Sequence, residues 1–206
     1  LELYFLFSTE HENRVKRESE YLGEFVKRIN QIFHTQKDIL NVEFTLLEAS
    51  AWDPDTQAYT SEGILNAEVL ITLLKKRASE VETNWNQTHP YEPISAFVFL
   101  TTQEIVNQTG HSQTGINGRI GGICLTGEKV AAARDDGNYS GVRNAAVQLS
   151  LLMGAVYDGE SPPGSEFVSG SDGAQDCDPK DGFLMGEWGT DQKSFSLSEC
   201  SPYQFI

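Results

Sequence analysis

The sequence predicts an α/β fold: a mostly parallel twisted sheet, three main helices, and a smaller loop-rich C-terminal part that ends in a helix. Up to residue 157, apolar runs of strand length alternate with amphipathic helical patterns, which is typical of parallel sheets with crossover helices. From residue 158 onward, Gly, Ser, Pro and Asp become frequent, which indicates loops. The 206 residues suit one domain, 1–206, with an N-terminal part, 1–157, and a C-terminal part, 158–206.

The strand predictions depend on short apolar or alternating runs that are bounded by turn-forming residues. The second of them is an alternation in which Val42, Phe44 and Leu46 are separated by Glu43 and Thr45. The predicted strands cover residues 3–8, 42–46, 97–101, 121–125 and 130–133.

The helix predictions depend on apolar residues that recur every three or four positions. Residues 18–33 carry one such stripe, from Tyr21 to Phe33. Thr60 and Ser61 are candidate caps for a second helix, whose apolar residues run from 64 to 74. Residues 142–155 are expected to form a third helix, amphipathic at first and then almost wholly apolar, and the final helix is expected within residues 195–206.

Charge excludes several classes of partner. The formal net charge is −15, which argues against nucleic-acid binding and against docking on anionic membranes. No window approaches the roughly 18 consecutive apolar residues of a transmembrane helix, so membrane insertion is not expected. We expect neither nucleic acid nor a membrane as a partner, and no cofactor.

Glycosylation sequons and cysteines indicate an extracellular protein. Three Asn-x-Ser/Thr sequons begin at Asn86, Asn107 and Asn138, and three in one short chain favour passage through the secretory pathway. The three cysteines show no CxxC spacing, which makes a zinc knuckle improbable. One disulfide and one odd thiol is the simplest count. We therefore expect a secreted glycoprotein.

The third helix and its exit, residues 145–159, carry a specific resemblance. They read AAVQLSLLMGAVYDG, which resembles the zinc helix of the metzincin metalloproteases with its motif H-E-x-x-H-x-x-G-x-x-H-D. The resemblance is to the reprolysin (adamalysin) branch, including the salivary members of blood-feeding ticks. Gly154 corresponds to the motif glycine and Asp158 to the aspartate after the third histidine. The resemblance implies a metzincin catalytic-domain fold.

The catalytic positions of that motif are all changed. Val147, Leu151 and Tyr157 stand where the family has its three zinc-binding histidines, and Gln148 stands where the family has its catalytic glutamate. Valine and leucine offer no metal ligand, and a glutamine has no carboxylate that could act as a general base. We therefore expect no metal and no proteolysis here. Val147, Leu151 and Tyr157 should instead fill the former metal cavity with apolar bulk.

Other parts of the chain retain the family pattern, so the resemblance covers nearly the whole chain. Residues 181–185 resemble the Met-turn segment, with Met185 at the methionine that lies beneath the metal in active relatives. The resemblance implies a disulfide between Cys124 and Cys200. It also implies that Cys177 has a partner beyond Ile206.

No other metal site is expected. The histidines have no helical i, i+4 partners and stand in polar surroundings, so each is interpreted as a surface residue: His11, His34, His89 and His111. Four aspartates in the C-terminal part lack the pattern of a calcium-binding EF-hand and favour a solvated acidic loop: Asp172, Asp176, Asp178 and Asp181.

Three functional hypotheses follow. The first is a catalytically inactive, secreted metalloprotease homologue that binds a protein partner; its resemblance to tick proteins suggests a host haemostatic, complement or immune factor. The second is a hydrolase of another kind, using Ser150, Asp158 or Tyr157, but no histidine is near in sequence to activate a nucleophile. The third is a decoy, antigenic variant or storage glycoprotein without a specific partner.

Overall fold

A computed structural model describes residues 1–123 and 125–206. It has eight strands and five α-helices within these residues. In chain order they are β1 (Glu2–Phe7), α1 (Thr9–Val15), α2 (Glu18–Phe33), β2 (Thr45–Ala51), β3 (Leu65–Asn66), α3 (Ala67–Thr88), β4 (Ala96–Thr101), β5 (Ile105–Val106), β6 (Ser112–Gln113), β7 (Gly115–Asn117), β8 (Val130–Arg134), α4 (Gly141–Leu152) and α5 (Cys200–Gln204).

The main sheet has the strand order β2-β1-β4-β8-β7. The first four strands run parallel, with Phe5 beside Val98 and Phe99 beside Ala132, while β7 pairs antiparallel with β8 at one edge. A second, small sheet has the order β3-β5-β6. The predicted α/β class with a mostly parallel sheet and a helix at the chain's end is confirmed.

The two faces of the main sheet bury two separate cores, because side chains alternate along each strand. Leu3 and Phe5 point to the side covered by α2 and α4, whereas Tyr4 and Leu6 point to the side covered by α3. The core on the α2 and α4 side also takes in Leu184, Met185 and Leu197 from the C-terminal part. This continuous core places the C-terminal part against α4.

Several predicted element boundaries were wrong. Strand β2 begins at Thr45, not at residue 42. Helix α3 begins after Asn66, whose side chain accepts a hydrogen bond from the Val69 amide at 2.9 Å, so Thr60 and Ser61 are not its caps. Residues 121–123 lie in turns rather than in a strand. The last α-helix is confined to Cys200–Gln204 and is preceded by a short 3-10 turn.

Helix α4 ends because Gly154 turns the chain back. Gly154 has φ 105°, in a region that side-chain-bearing residues rarely adopt. A Cβ atom there would lie 2.8 Å from the carbonyl oxygen of Gln204. The Gln204 side chain in turn accepts a hydrogen bond from the Val156 amide at 2.9 Å. The exit of α4 is thus packed directly against α5.

The disulfide joins Cys177 to Cys200, with 6.2 Å between their Cα atoms. The predicted Cys124–Cys200 pair is therefore wrong, and so is the expectation that Cys177 pairs beyond the chain. Cys124 itself lies outside the described residues. The physical reason is local: Gly159 donates to the Ala174 carbonyl at 2.8 Å, while Asp158 holds the Ser198 hydroxyl at 2.7 Å. These bonds bring the loop before Cys177 beside the start of α5.

Reduction of this disulfide is expected to lower the melting temperature by roughly 6–12 °C. Closing a loop with a sequence separation of 23 is worth about 3 kcal/mol in the chain-entropy model. Differential scanning fluorimetry with and without a phosphine reductant measures the shift. The Cys177→Ser/Cys200→Ser double variant should melt at the lower temperature in both conditions. Cys124→Ser is the control and should respond to the reductant as the wild type does. If Cys124→Ser abolished the effect of the reductant and the double variant did not, the Cys177–Cys200 pairing would be wrong.

Candidate functional site: a metalloprotease-like helix without metal ligands

Helix α4 carries aliphatic side chains at the two positions that would face a metal. Val147 and Leu151 lie four residues apart and are 4% and 5% exposed. Both belong to the apolar core that α4 shares with the sheet, and Met185 at 0% exposure is part of the same core. The predicted burial of Val147 and Leu151 is what the structure shows. The region is packed as hydrophobic interior.

Gln148 is held beneath the edge strand β7. Its Oε1 accepts a hydrogen bond from Asn117 Nδ2 at 2.8 Å, and its side chain is 5% exposed. A Cβ atom at Gly115 would lie 2.8 Å from Gln148 Cγ, so the absence of a side chain at Gly115 leaves room for the amide. No local pattern indicates that Asn117 and Gly115 lie against this glutamine, because both belong to a strand 31 or more residues away.

The exit of α4 places Tyr157 and Asp158 in different surroundings. Tyr157 is 41% exposed, so the expectation that it fills an internal cavity was wrong for this residue. The next residue, Asp158, is buried instead, at 4% exposure. Partial burial, together with nearby Glu160, raises the pKa of the Tyr157 hydroxyl. Tyr157 therefore stays neutral and is available at the surface.

Asp158 ties the helix exit to the Met-turn segment. Its backbone amide donates to the Met185 carbonyl at 2.9 Å, and its Oδ1 accepts a hydrogen bond from Ser198 at 2.7 Å. Burial raises the pKa of this carboxyl; Asp181 raises it further and the Ser198 hydrogen bond opposes the shift. The structure thus joins Asp158 to Met185, two of the residues that match the motif, whereas Gly154 packs against α5.

The residues at the motif positions do not fit zinc. Protein zinc sites use three or four ligands from His, Cys, Asp or Glu. Val147 and Leu151 have no donor atom, and Tyr157 offers a single neutral hydroxyl. Within residues 1–123 and 125–206, no cluster of three or more His, Cys, Asp or Glu side chains is arranged to hold a metal ion.

The alternative serine nucleophile is inaccessible. Ser150 is 0% exposed, and its hydroxyl donates to the Ala146 carbonyl at 2.9 Å, one turn earlier in α4. A serine nucleophile needs a base within hydrogen-bonding reach and access to substrate. Ser150 therefore serves the packing of α4 and gives no support to a hydrolase of another kind.

One histidine lies in the interior, against expectation. His11 is 0% exposed, and its Nε2 lies 2.7 Å from Asp135 Oδ2, with Nδ1 3.0 Å from Glu18 Oε1. Tyr21 also donates to Asp135 Oδ2, at 2.6 Å. The interpretation of His11 as a surface residue was therefore wrong. We call His11, Glu18, Tyr21 and Asp135 the His11 cluster; it joins α1 and α2 to the start of α4.

The His11 cluster carries opposite charges in the interior. Burial alone would lower the pKa of His11, but its hydrogen bonds to Asp135 and Glu18 raise that pKa to about 9. Burial likewise opposes ionisation of Asp135, yet hydrogen bonds from His11, Tyr21 and the Gly141 amide hold its pKa below the usual value. Both ring nitrogens of His11 are engaged, so His11 cannot act as a free base. The cluster is a structural ion pair.

Aromatic side chains are exposed beside the start of α4. The Arg143 guanidinium lies 3.7 Å from the ring centre of Trp188 and 5.2 Å from that of Phe195. Trp188 and Phe195 are 37% and 48% exposed, although apolar side chains of this size are usually buried. We call Arg143, Trp188 and Phe195 the Arg143 cluster. The Trp188 indole is fixed by its hydrogen bond to the Leu184 carbonyl at 2.8 Å.

The three sequon asparagines all reach the surface. Asn86 and Asn138 are exposed, and Asn107 is half-buried. Asn107 Oδ1 accepts hydrogen bonds from Thr109 Oγ1 at 2.8 Å and from the His111 amide at 2.9 Å. All three asparagines are at least partly accessible, and their glycosylation remains a prediction.

Sequence comparison finds metalloproteinases over part of the chain. The chain is 36% identical over 92 residues, 42% of its length, to a Bombyx mori protein described as "A disintegrin and metalloproteinase with thrombospondin motifs like". It is 36% identical over 81 residues, 39% of its length, to the venom metalloproteinase antarease-like TtrivMP_A of Tityus trivittatus. The matches span only 13% and 20% of those relatives. No family model matches the chain.

Solved structures with the same fold cover the whole chain. Archaemetzincin from Methanopyrus kandleri superposes with a TM-score of 0.58 at 12% identity, over 98% of this chain and 91% of that one. The chain has a metzincin-like fold. A zinc-dependent peptidase from Methanocorpusculum labreanum has a TM-score of 0.54 at 8% identity, over 98% and 99% of the two chains. Metalloproteinase-II from Bacteroides fragilis also gives 0.54, at 12% identity, over 99% of this chain and 51% of that one.

The chain combines a metzincin-like fold with a helix α4 that lacks metal-binding side chains at the motif positions. The expected resemblance to metzincins, with sequence matches to metalloproteinases of the disintegrin and venom type, is confirmed. This fold places Asp158 beside Met185. It does not supply the missing ligand atoms at Val147, Leu151 and Tyr157.

Proposed function

We propose that this protein is a catalytically inactive metalloprotease homologue that acts by binding a protein partner. The observation that supports it is the packing of Val147 and Leu151, which are 4% and 5% exposed at the positions of metal-binding histidines. A buried aliphatic pair neither binds a metal nor leaves an open site for a nucleophilic water. The amide of Gln148, engaged by Asn117, offers no proton-accepting carboxylate.

We further propose that the protein works outside the cell. A disulfide persists in oxidising compartments, and the chain has one between Cys177 and Cys200. One similar protein is by its description a venom metalloproteinase, and three surface sequons are compatible with secretion. No helix among the described residues has the length and apolar character that a membrane span requires.

The proposed binding face is the Arg143 cluster. Trp, Tyr and Arg are enriched among the residues that dominate the energy of protein interfaces. Trp188 and Phe195 are already ordered by their contacts with Arg143, so little conformational entropy is lost when a partner covers them. The resemblance to salivary metalloproteases of ticks suggests host haemostatic, complement or immune proteins as candidates.

Metal analysis combined with a cleavage assay tests the proposed loss of activity. The purified chain is incubated with zinc, desalted, and measured by inductively coupled plasma mass spectrometry and against a broad peptide library. We expect sub-stoichiometric zinc and no cleavage, because the motif positions carry no ligand set. One tightly bound zinc per chain, or cleavage that a chelator abolishes, would refute the proposal.

The binding half of the proposal is tested with the same protein. Surface plasmon resonance against purified host plasma proteins should find one saturable partner. The Arg143→Ala/Trp188→Ala variant should weaken that interaction by roughly 30-fold, since interface hot spots contribute about 2 kcal/mol or more. Tyr91→Ala, at an exposed aromatic outside the Arg143 cluster (93% exposed), is the control and should leave the affinity unchanged. Absence of saturable binding would favour the decoy hypothesis.

A further inference from the structure

A pocket of about 630 Å³ lies between α2, the start of α4 and residues 192–196. Its volume is within the range of roughly 300–1,000 Å³ that is usual for small-molecule sites. Ile32 and Val142 are the buried apolar residues of its lining. Phe195 of the Arg143 cluster and the sequon residue Asn138 also line it. None of the motif residues of α4 lines the pocket, and the pocket meets the proposed binding face only at Phe195.

The lining is electrically neutral. Glu24 and Arg28 are the two charged side chains among its described lining residues, and they pair with each other at 3.0 Å. Arg28 also covers the ring of Tyr139, at 4.0 Å from its centre. An acidic peptide or a nucleotide would need unpaired positive charge, and this lining does not offer it.

The uncharged polar groups suit a polyhydroxyl ligand. Gln31, Gln192 and Ser196 contribute amide and hydroxyl groups that both donate and accept hydrogen bonds. Phe195, 48% exposed, adds an aromatic ring against which the C–H face of a sugar can pack. Neutral hydrogen-bonding groups beside one exposed ring are the chemistry that recognises a carbohydrate.

Asn138 is presented to this pocket by a rigid loop. Its backbone amide donates to Asp136 Oδ1 at 2.7 Å, and the Asp136 amide donates to Ser140 Oγ at 3.0 Å. Tyr139 has φ 64°, a conformation that residues with a side chain rarely adopt. It is held there by the hydrogen bond of its amide to the Tyr21 hydroxyl, 2.7 Å, and by ring stacking on Tyr21. The point of glycan attachment is therefore fixed relative to the pocket.

We propose that this pocket holds the first sugars of an N-linked glycan carried by Asn138. The inference rests on the extracellular location in the proposed function, because only there would the sequon be used. A ligand tethered by a short linker has an effective concentration of about millimolar, so even a weak carbohydrate contact is populated. The docked sugars contact Phe195 and therefore border the proposed binding face. A partner that binds the Arg143 cluster would contact both the protein surface and the glycan.

The test compares glycan release at two sequons of one molecule. The full chain is secreted from cultured human cells behind a supplied signal peptide, and occupancy is measured by glycopeptide mass spectrometry. In the folded protein, peptide-N-glycosidase should release the Asn138 glycan about tenfold more slowly than the Asn86 glycan, because only the undocked fraction is cleaved. Asn86 is the internal control, since it is exposed on α3. In urea the two rates should be equal.

A variant separates docking from the stiffness of the loop. Phe195→Ser alters the pocket without altering the sequon loop, and it should bring the two release rates within about twofold of each other, because the docked fraction is lost. The proposal is overturned if Asn138 is unoccupied, if the native rates are equal, or if the difference persists in Phe195→Ser. Zinc content and peptidase activity of the same preparation report on the proposed function independently of this ratio.

The source of the carbohydrate is tested with the unglycosylated Asn138→Gln protein. N,N′-diacetylchitobiose, the core disaccharide of N-glycans, is titrated while NMR signals are followed. Binding with a dissociation constant of about 0.1 mM, which is one tenth of the tethered ligand's effective concentration and so matches the tenfold slower release, supports a tethered ligand if Phe195→Ser abolishes it. Binding tighter than about 1 μM would instead identify a receptor for external saccharides and overturn the inference.

Discussion

Replacing Asp135 with alanine is expected to lower the free energy of unfolding by about 3–5 kcal/mol, since this is the usual cost of removing one partner of a buried ion pair. Asp135 is 0% exposed and accepts hydrogen bonds from His11, Tyr21 and the Gly141 amide at 2.6–2.7 Å. Its loss leaves a charged imidazole and a hydroxyl in the interior with fewer partners. Urea denaturation at neutral pH, followed by tryptophan fluorescence, measures the change.

An exposed ion pair provides the matched control for Asp135→Ala. Glu10 lies 2.8 Å from Arg14 on α1, and both side chains are about half exposed, at 50% and 49%. Glu10→Ala should cost less than about 1 kcal/mol, because solvent screens such pairs. Equal losses for the two variants would show that the His11 cluster contributes no more than a surface pair.

The pH dependence distinguishes the ion pair from simple packing. The pKa of His11 is raised from 6.5 to about 9 on folding, so its contribution is complete below pH 6.5 and is lost as pH rises through 9. That loss should amount to roughly 3 kcal/mol at most. The lowered pKa of Asp135 adds stability that is lost in acid, below its unfolded pKa. Asp135→Ala should abolish most of the alkaline slope, whereas a slope equal to that of the wild type would contradict the ion-pair assignment.

The burial of His11 and the existence of α1 could not be predicted from the sequence. His11 stands between Glu10 and Glu12, and nothing local distinguishes it from a solvated histidine. Its partner Asp135 is 124 residues away and stands in a segment that is typical of a turn. Helix α1 brings the two together, and α1 itself was not predicted because its seven residues, Thr9–Val15, carry almost no apolar stripe.

Elements with strong local periodicity were predictable. Helix α2 spans Glu18–Phe33, the residues predicted for it, because its apolar stripe packs on the sheet. Strand β4, Ala96–Thr101, is buried at every position and begins one residue before the prediction. A continuous apolar run of this kind is typical of a central parallel strand.

The predictions of the disulfide pairing and of the first residue of α3 were wrong for different reasons. Three cysteines allow three pairings, and only the fold decides among them; here the loop anchored by Asp158 brings Cys177 to α5. In α3, several capping residues precede the apolar stripe, and Asn66 rather than Thr60 satisfies the first-turn amides. The motif positions on α4 were placed correctly on one helix, but the exposure of Tyr157 depended on the tertiary path beyond Gly154.

Restoring histidines at the motif positions is expected to create a zinc site. Val147→His/Leu151→His/Tyr157→His places two ligands four residues apart on α4 and a third at the helix exit. Zinc bound by a full ligand set supplies about 10–16 kcal/mol of apparent binding free energy, against about 1.5–3 kcal/mol for burying one valine or leucine. The variant should therefore bind one zinc per chain, whereas we expect the wild type to bind none. Its melting temperature should rise with added zinc.

Two matched variants make this result specific to the motif geometry. Val147→His/Leu151→His retains Tyr157 and should bind zinc far more weakly, because it lacks the third nitrogen ligand. Val147→His/Leu149→His/Tyr157→His moves one histidine by two residues, to another face of α4, and should not gain zinc-dependent stability. Circular dichroism first establishes that each variant folds without metal, since Val147, Leu149 and Leu151 are all buried.

If the folded triple variant took up no zinc, the correspondence of Val147, Leu151 and Tyr157 to the three histidine positions would be wrong. If zinc stabilised the wild type as much as the triple variant, the chain would have a metal site elsewhere. That result would contradict the proposal that the protein is an inactive metalloprotease homologue.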